Sequence, residues 1–460
     1  MNAADFSAFA RSFREAAPYI DQLRGKTLVV GISSCLLESE RFRPIAADLA
    51  LLAGLGIRLV LVYGSRSQIN AACEAAGIEI RCHCNRRITS EAVLGIAKQV
   101  CARLSADIAA ALTVGLPHAP RRRRLRIASG NFVSARPAGI IDGIDMGYTG
   151  CVRKTDTEAV AAALDSGALV LIGPLASSLG GKTFNLSMAD TAAALAVGLA
   201  AEKLVFLIEE EGILDGNYRR LSNLSAQEAE GRLNSGGITA RQHSLLHTAL
   251  EAVAQGVPRC QILSGLSDGA LIGELFTHSG TGTSVAQDPF AAIRPAAEGD
   301  IPALIALIRP LEKAGILLHR SREYLESHIG SFFVLEYDRQ IYGCAALKTF
   351  AEAPQSGELA CLAVSPDAQH GGLGEMLLER LAAEARRRGL QQLFALTTQT
   401  GEWFAERSFQ TASPEDLPAT RQEIYRQSGR QFYRVRAAFV TPPEPVRRPC
   451  RRSPAVSSAA

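Results

Sequence analysis

The chain has 460 residues, 47% of them apolar and 21% charged, with a formal net charge of +3. That length exceeds one ordinary core and predicts two or three domains of a soluble globular protein. So small a charge excess argues against a nucleic-acid or membrane-surface partner. Charged Arg11, Arg14 and Glu15 stand where a signal peptide needs an apolar core, and no stretch reaches the roughly 18 uncharged apolar residues of a spanning helix. The expected location is the cytoplasm. Ten cysteines scattered along the chain predict reduced thiols, not a disulfide frame.

An amphipathic helix opens the chain, with Phe6, Phe9 and Phe13 on one side, and is expected to end near Pro18-Tyr19-Ile20. Its aromatic stripe is expected to pack, on this chain or on another subunit. A βα pattern follows: a strand at Thr27-Leu28-Val29-Val30, a helix over residues 43 to 55, and a second strand from Arg58 to Tyr63 that runs into Gly64-Ser65-Arg66. Cys82-His83-Cys84 has the look of a metal corner, but no second Cys/His pair stands at zinc-site spacing, so no metal is expected. The basic run Arg121 to Arg124 reads as a solvated loop.

Short polar strands and turns between Arg126 and Gly150 predict hairpins inserted in the α/β layer. Buried parallel strands resume at Ala168–Ile172, Leu204–Ile208 and Gln261–Leu263. His243 and His247 are one helical turn apart but lack the Glu of a metalloprotease motif, so they are read as surface histidines. Residues 288–295, with Pro289 and Pro295, are expected to link two domains. Asp300 is the expected N-cap of a helix over Ile301 to Ile308, and antiparallel strands are expected at Phe332–Glu336 and Ile341–Leu347.

The most informative stretch is Glu358 to Gly389. A strand (Leu359 to Val364) feeds a loop, Gln369-His370-Gly371-Gly372-Leu373-Gly374, which opens a helix carrying Leu377, Leu378, Leu381 and Ala385 on one face and stopped by Gly389. Free N–H groups and the positive dipole end at such a helix start make an anion site. A strand at Leu393 to Thr397 follows. The Pro-, Arg-, Ser- and Ala-rich tail from Thr441 to Ala460 is expected to be disordered, with Cys450 an exposed thiol in it.

The loop spacing Q-x-x-G-x-G (Gln369, Gly372, Gly374) is not that of a Walker loop. It resembles the pyrophosphate loop of the Gcn5-related acetyltransferases, which implies that Gln369, Gly371, Gly372 and Gly374 hold the diphosphate of acetyl-CoA. The resemblance also implies that Leu393–Thr397 splays from Leu359–Val364 to admit the pantetheine arm. The segments Leu307–Glu326, Tyr342–Ala353, Gly357–Pro366 and Thr400–Gln410 resemble the N-acetylglutamate synthase family in particular. Ser408 departs from the Gly expected there, which matters only if the backbone has positive φ.

The N-terminal half resembles the amino-acid kinase fold at Ser129–Asp156, Gly180–Ala196 and Ala201–Leu207. Asn185 and Asp190 match the kinases' N-x-x-A-D segment. The catalytic Lys that the first strand should deliver is replaced by Gly31-Ile32-Ser33-Ser34, and the glycine triplet after the second strand by Gly64-Ser65-Arg66. Phosphoryl transfer depends on that positive charge, so a kinase fold without kinase chemistry is expected. Asp268 to Thr283 resembles the signature of arginine-sensitive members. The resemblance implies Glu274 on the arginine guanidinium, close approach at Gly280 and Gly282, Tyr19 as a lid and Lys203 on the carboxylate. The alternative for this segment is a plain loop and helix cap.

The fold expected is thus α/β: a helix at 1–24, an amino-acid-kinase-like parallel-sheet sandwich at 25–287, a linker at 288–295, a Gcn5-related N-acetyltransferase domain at 296–440 and the tail at 441–460. The resemblance implies acetyl transfer from acetyl-CoA, the co-substrate, to L-glutamate, the first step of arginine biosynthesis. It also implies L-arginine as effector, a homo-oligomer (a hexamer), and no permanently bound cofactor. The attacking amine must lose a proton, and Glu358 at the start of the cofactor strand is the candidate base; the alternative is a surface charge. Backbone N–H groups of Leu362 or Val364 are candidates for the oxyanion, and Thr397 or Thr398 for the proton to the thiolate. Arg320, Lys348 and Arg430 are candidates for the glutamate carboxylates, with Arg322 as the one to confuse with them. Three other readings stay open: an active acetylglutamate kinase, an inert arginine sensor or scaffold, and an acetyltransferase for another amine.

Overall fold

The structure, a computed structural model, describes residues 3–37, 39–115, 125–216, 219–277, 280–287, 291–337, 340–365, 373–397, 400–411, 413, 415, 417–422 and 431–436. The basic run 121–124, the loop residues Gln369, Gly371 and Gly372, Thr398, Arg430 and the tail lie outside them. Two compact units divide at Phe290/Ala291.

The first unit is built on an eight-stranded sheet. In spatial order its strands are Asn223–Ser225, Thr283–Ala286, Arg259–Ser264, Lys203–Ile208, Thr27–Ile32, Arg58–Tyr63, Ala168–Ile172 and Arg126–Ala128. The pairs run parallel except Arg259–Ser264 with Thr283–Ala286. Strands such as Thr27–Ile32 and Lys203–Ile208 are buried along their whole length, as expected where helices cover both faces. One apolar cluster gathers the residues of one face, among them Val29, Val60 and Phe206; the other gathers Leu28, Leu61 and Leu207 with Tyr19, Leu271 and Leu275.

Two expectations for this unit change. The first helix runs from Ala3 to Leu23, through Pro18. A proline there removes one hydrogen bond, but Tyr19 and Leu23 are buried against Leu271, Leu275 and Phe276, and that packing carries the helix on. Arg126–Ala128 is no hairpin; it is the parallel edge strand beside Ala168–Ile172. The insertion proper is a four-stranded sheet (Thr183–Asn185, Leu175–Ser177, Val133–Pro137, Gly150–Thr155) plus the hairpin Ile140–Ile141/Ile144–Asp145.

The second unit has a seven-stranded sheet in the order Ala291–Pro295, Phe332–Tyr337, Gln340–Phe350, Ala353–Val364, Gln392–Thr397, Gln431–Arg436 and Gln410–Thr411. Residues 291–295, expected as linker, are its first strand, because their backbone pairs antiparallel with Phe333 to Tyr337. Asp300 precedes the helix Ile301–Lys313 but does not cap it; its carboxylate accepts from the Ala297 N–H at 2.8 Å and from Arg294 at 2.7 and 2.9 Å. The helix Leu373–Arg387 buries Leu377, Leu378, Leu381, Ala382 and Ala385 on one sheet face, and Gly389 at φ 75° ends it. Helices Ile301–Lys313 and Arg322–His328 cover the opposite face. No described helix is long and apolar enough to cross a membrane.

Candidate active site and effector site

In the second unit, Ala353–Val364 and Gln392–Thr397 pair in parallel only at Ser356↔Gln392 through Leu359↔Ala395. Past Leu359 the described strands no longer pair. One cause is a bulge: between Ala346↔Ala360 and Cys344↔Ala363, two residues, Cys361 and Leu362, oppose Ala345 alone, and Cys361 takes φ 52°. A bulged strand bends, and here it bends beside a cavity of about 660 Å³. Glu358, Leu362, Val364, Gly374, Thr397 and Arg320 all line this cavity.

Glu358 is buried, 5% exposed, so the surface-charge alternative is set aside. Its Oε2 accepts from Arg421 Nε at 2.8 Å, with Arg421 Nη2 at 2.5 Å. A carboxylate this buried needs a partner, and Arg421 lies 63 residues away in sequence. Arg421 also stacks over Phe350, 5.7 Å from the ring centre. No motif pointed to Arg421, and only the fold brings it to Glu358.

Thr397 is buried, and its Oγ1 accepts from the Thr400 N–H at 3.0 Å and lies 2.7 Å from Thr400 Oγ1. Its hydroxyl therefore also holds the turn after the strand. Gly374 lies in the first turn of Leu373–Arg387. Among the described residues, a Cβ there would meet only ordinary contacts, Trp403 at 3.6 Å and Val364 at 3.9 Å. Arg407 stands at that same end, paired with Glu375 at 3.3 Å, stacked 4.2 Å above Trp403, and with a buried Nε that has no partner among the described residues.

Among the glutamate candidates, Arg320 lines the cavity and donates to the Leu318 carbonyl at 2.8 Å. Lys348 is cross-strand from Glu358 but has its Nζ over the Tyr324 ring at 5.0 Å, outside the cavity lining. Arg322 pairs with Glu326 at 2.8 Å on its own helix. Ser408 does take positive φ, 67°, where the turn after Gly401–Ala405 closes.

In the first unit, Glu274 is 7% exposed at the end of the short helix Ala270–Phe276. One of its oxygens, Oε2, accepts from the Thr281 N–H at 2.5 Å and the Gly282 N–H at 2.9 Å; Oε1 accepts from Gln261 Nε2 at 2.9 Å. The carboxylate thus braces the 280–282 segment, and one lone-pair site on Oε1 remains for a donor. Among the described residues, Gln261 Oε1 is buried without a partner. A Cβ on Gly280 would sit 2.8 Å from Glu274 Oε2, and one on Gly282 2.4 Å from the Ile262 carbonyl, so both positions require glycine. Tyr19 and Lys203 are buried on the same sheet face as Gln261, alongside Val205 and Leu263.

The cleft at the carboxyl ends of the first unit's strands holds about 280 Å³ and is lined by Asn185, Asp190, Arg86 and Arg241 among others. At Gly31, where the kinases place their Lys, a Cβ would lie 2.6 Å from Met188 Sδ and 2.9 Å from Phe206. Asp190 is held by Arg86 at 2.8 Å, and Arg241 is bound to Glu209.

Residues 26–264 match the amino acid kinase family, and residues 303–407 the acetyltransferase (GNAT) family. An amino-acid acetyltransferase of Neisseria meningitidis serogroup A is 52% identical over 426 residues, 92% of this chain and 97% of that one. The crystal structure of N-acetylglutamate synthase from Neisseria gonorrhoeae with coenzyme A and L-arginine is 49% identical, covers 93% of this chain and 99% of that chain, and superposes with a TM-score of 0.85. A second structure of the gonococcal enzyme, with coenzyme A and N-acetyl-glutamate, is 50% identical at the same coverage, with a TM-score of 0.61.

Proposed function

This chain belongs to the amino-acid acetyltransferase family, that of N-acetylglutamate synthase, and on that premise we propose how its residues perform the transfer and its control. The reaction is acetyl-CoA plus L-glutamate giving N-acetyl-L-glutamate and CoA. The observation that carries the residue assignment is the cavity at the parted strands, which has a buried carboxylate at one end and a helix start at the other.

Acetyl-CoA lies between the parted strands, its diphosphate on the N–H groups of Gln369 to Gly374, with Arg407 beside it. Glu358 takes the proton of the glutamate ammonium through Oε1, directly or through one water, while Arg421 holds Oε2 and so fixes the carboxylate's orientation. The deprotonated amine attacks the thioester carbonyl. Backbone N–H groups at Leu362 or Val364, beside the bulge, hold the oxyanion; as the tetrahedral intermediate collapses, Thr397 passes a proton to the departing thiolate and takes one in return from the attacking nitrogen, which thereby becomes the neutral amide. Arg320, Lys348 and Arg430 are the cations for the two substrate carboxylates, of which Arg320 has the support of lining the cavity.

Arginine acts through the first unit. Glu274 with its remaining acceptor site and the orphaned Gln261 Oε1 suit a guanidinium, while Lys203 suits the carboxylate and Tyr19 closes over it. The chain works in the cytoplasm as a homo-oligomer, a hexamer by family likeness. Support for association is the first helix, where Phe6, Phe9 and Phe13 are 60%, 62% and 59% exposed and Phe9 stacks on Phe13.

The test is thiol release from acetyl-CoA by the pure protein, with a panel of amino acids and with or without arginine. Glutamate-dependent release that arginine alters, with the arginine effect lost in Glu274→Ala, is the expected result. Release driven by another amine, or ADP formed from ATP and N-acetylglutamate, would overturn the reading.

A further inference from the structure

Two hairpin tips of the first unit meet. The hairpin Arg81–His83/Arg86–Ile88 turns on Cys84 and Asn85, at φ 47° and 57°. The hairpin Ile140–Ile141/Ile144–Asp145 turns on Asp142 and Gly143, at φ 49° and 80°. Two-residue turns with both central residues at positive φ favour Asn, Asp and Gly, whose side chains tolerate that backbone. Three of these four residues fit the preference. Cys84 does not, and nothing in the turn itself explains a cysteine there.

At the meeting point three donor atoms converge. His83 Nε2 is 3.0 Å from Asp142 Oδ2; Cys84 Sγ is 3.3 Å from His83 Nε2 and 3.4 Å from Asp142 Oδ2. Tetrahedral zinc, with bonds of about 2.0–2.3 Å to N, O and S, sets neighbouring ligand atoms about 3.3–3.6 Å apart. The triangle is already one face of such a tetrahedron to within a few tenths of an ångström. Asp142 and His83 have side chains 69% and 22% exposed, so an ion has an open route to it. None of the three residues takes part in acetyl transfer or in the arginine contacts assigned above.

We propose that His83, Cys84 and Asp142 form a binding site for a zinc-like divalent cation. Cys84 binds as thiolate, neutral His83 through Nε2 and Asp142 through one oxygen; the fourth position is open to water. Uptake releases the Cys84 thiol proton to solvent and involves no electron transfer. The ion ties the two hairpins together across 59 residues of chain. It also adjoins Asn85, Arg86 and Arg87, which line the strand-end cleft, so occupancy bears on the position of that rim.

The full chain, reduced and freed of metal, is titrated with Co(II) and with Zn(II). One equivalent of Co(II) with a thiolate charge-transfer band and intense tetrahedral d–d bands is expected, displaced by Zn(II). Cys84→Ser, His83→Ala and Asp142→Asn should each weaken binding by more than the roughly 10–100-fold typical of losing an outer-shell partner. Cys84→Ser should also abolish the thiolate band. A measurement on the unmodified chain guards against damaged variants: Zn(II) should slow alkylation of Cys84 but not of exposed Cys82 two residues earlier. No stoichiometric binding at micromolar ion, binding unchanged in all three variants, or equal protection of Cys82 and Cys84 would overturn the proposal.

Discussion

Both units place a cleft at the carboxyl ends of parallel strands, and the two clefts have gone opposite ways. In the acetyltransferase unit the strands part beyond Leu359, helped by the bulge at Cys361, and leave about 660 Å³ open beside Glu358. In the kinase-like unit the strands stay paired, Met188 and Phe206 leave no room for a Cβ at Gly31, and Arg86 and Arg241 are paired with Asp190 and Glu209. The first unit's cleft is the smaller, about 280 Å³, and two of its lining cations are paired within the protein. Among the described residues of the first unit, the buried Gln261 Oε1 beside Glu274 has no partner and lies outside that cleft's lining.

The largest effect should come from the open cleft. Glu358→Gln should lower kcat about 10²–10⁴-fold with CoA binding retained, measured by glutamate-dependent thiol release and CoA titration; full kcat in this variant would remove Glu358 from the mechanism. Arg421→Met leaves that buried carboxylate unpartnered. It should destabilise the chain by about 3–5 kcal/mol in urea unfolding, with activity lost as well. In the first unit, Gly31→Ala should cost about 1–3 kcal/mol by overpacking against Met188 and Phe206, yet leave the kinetics of acetyl transfer unchanged. A neutral Gly31→Ala would mean that this packing is loose.

The units should also differ in the sign of their response to pH. Burial, then the charge of Asp268, pushes Asp48 up to about 6, so its contribution is fully present below an ordinary carboxylate pKa and is lost as pH rises through about 6. Asp48→Asn should therefore stabilise the first unit at about pH 8, by about 1 kcal/mol after solvent screening, and give no such gain near pH 4. In the second unit the hydrogen bond from Arg387 holds Glu384 down to about 2, so its contribution is present above the ordinary carboxylate range and lost as pH falls through about 2. Calorimetric melts of wild type and variant across pH check both signs. The smallest effect is Ser408→Gly, which relieves a φ of 67° and should stabilise by roughly 0.5–1 kcal/mol in the same melts.

By itself the sequence determined the two-domain α/β plan, the helix that opens within Gln369 to Gly374 and the glycine at position 31 of the first strand. Each of these is local: a periodicity, a loop spacing or one residue type at the end of one strand. The tertiary structure alone decided that Pro18 stays inside a helix, that 291–295 is a strand, that Glu358 meets Arg421 and that His83 and Cys84 meet Asp142. These depend on packing or on pairs 63 and 59 residues apart. No window of sequence contains both partners of such a pair, because chain folding, not local propensity, brings them within reach.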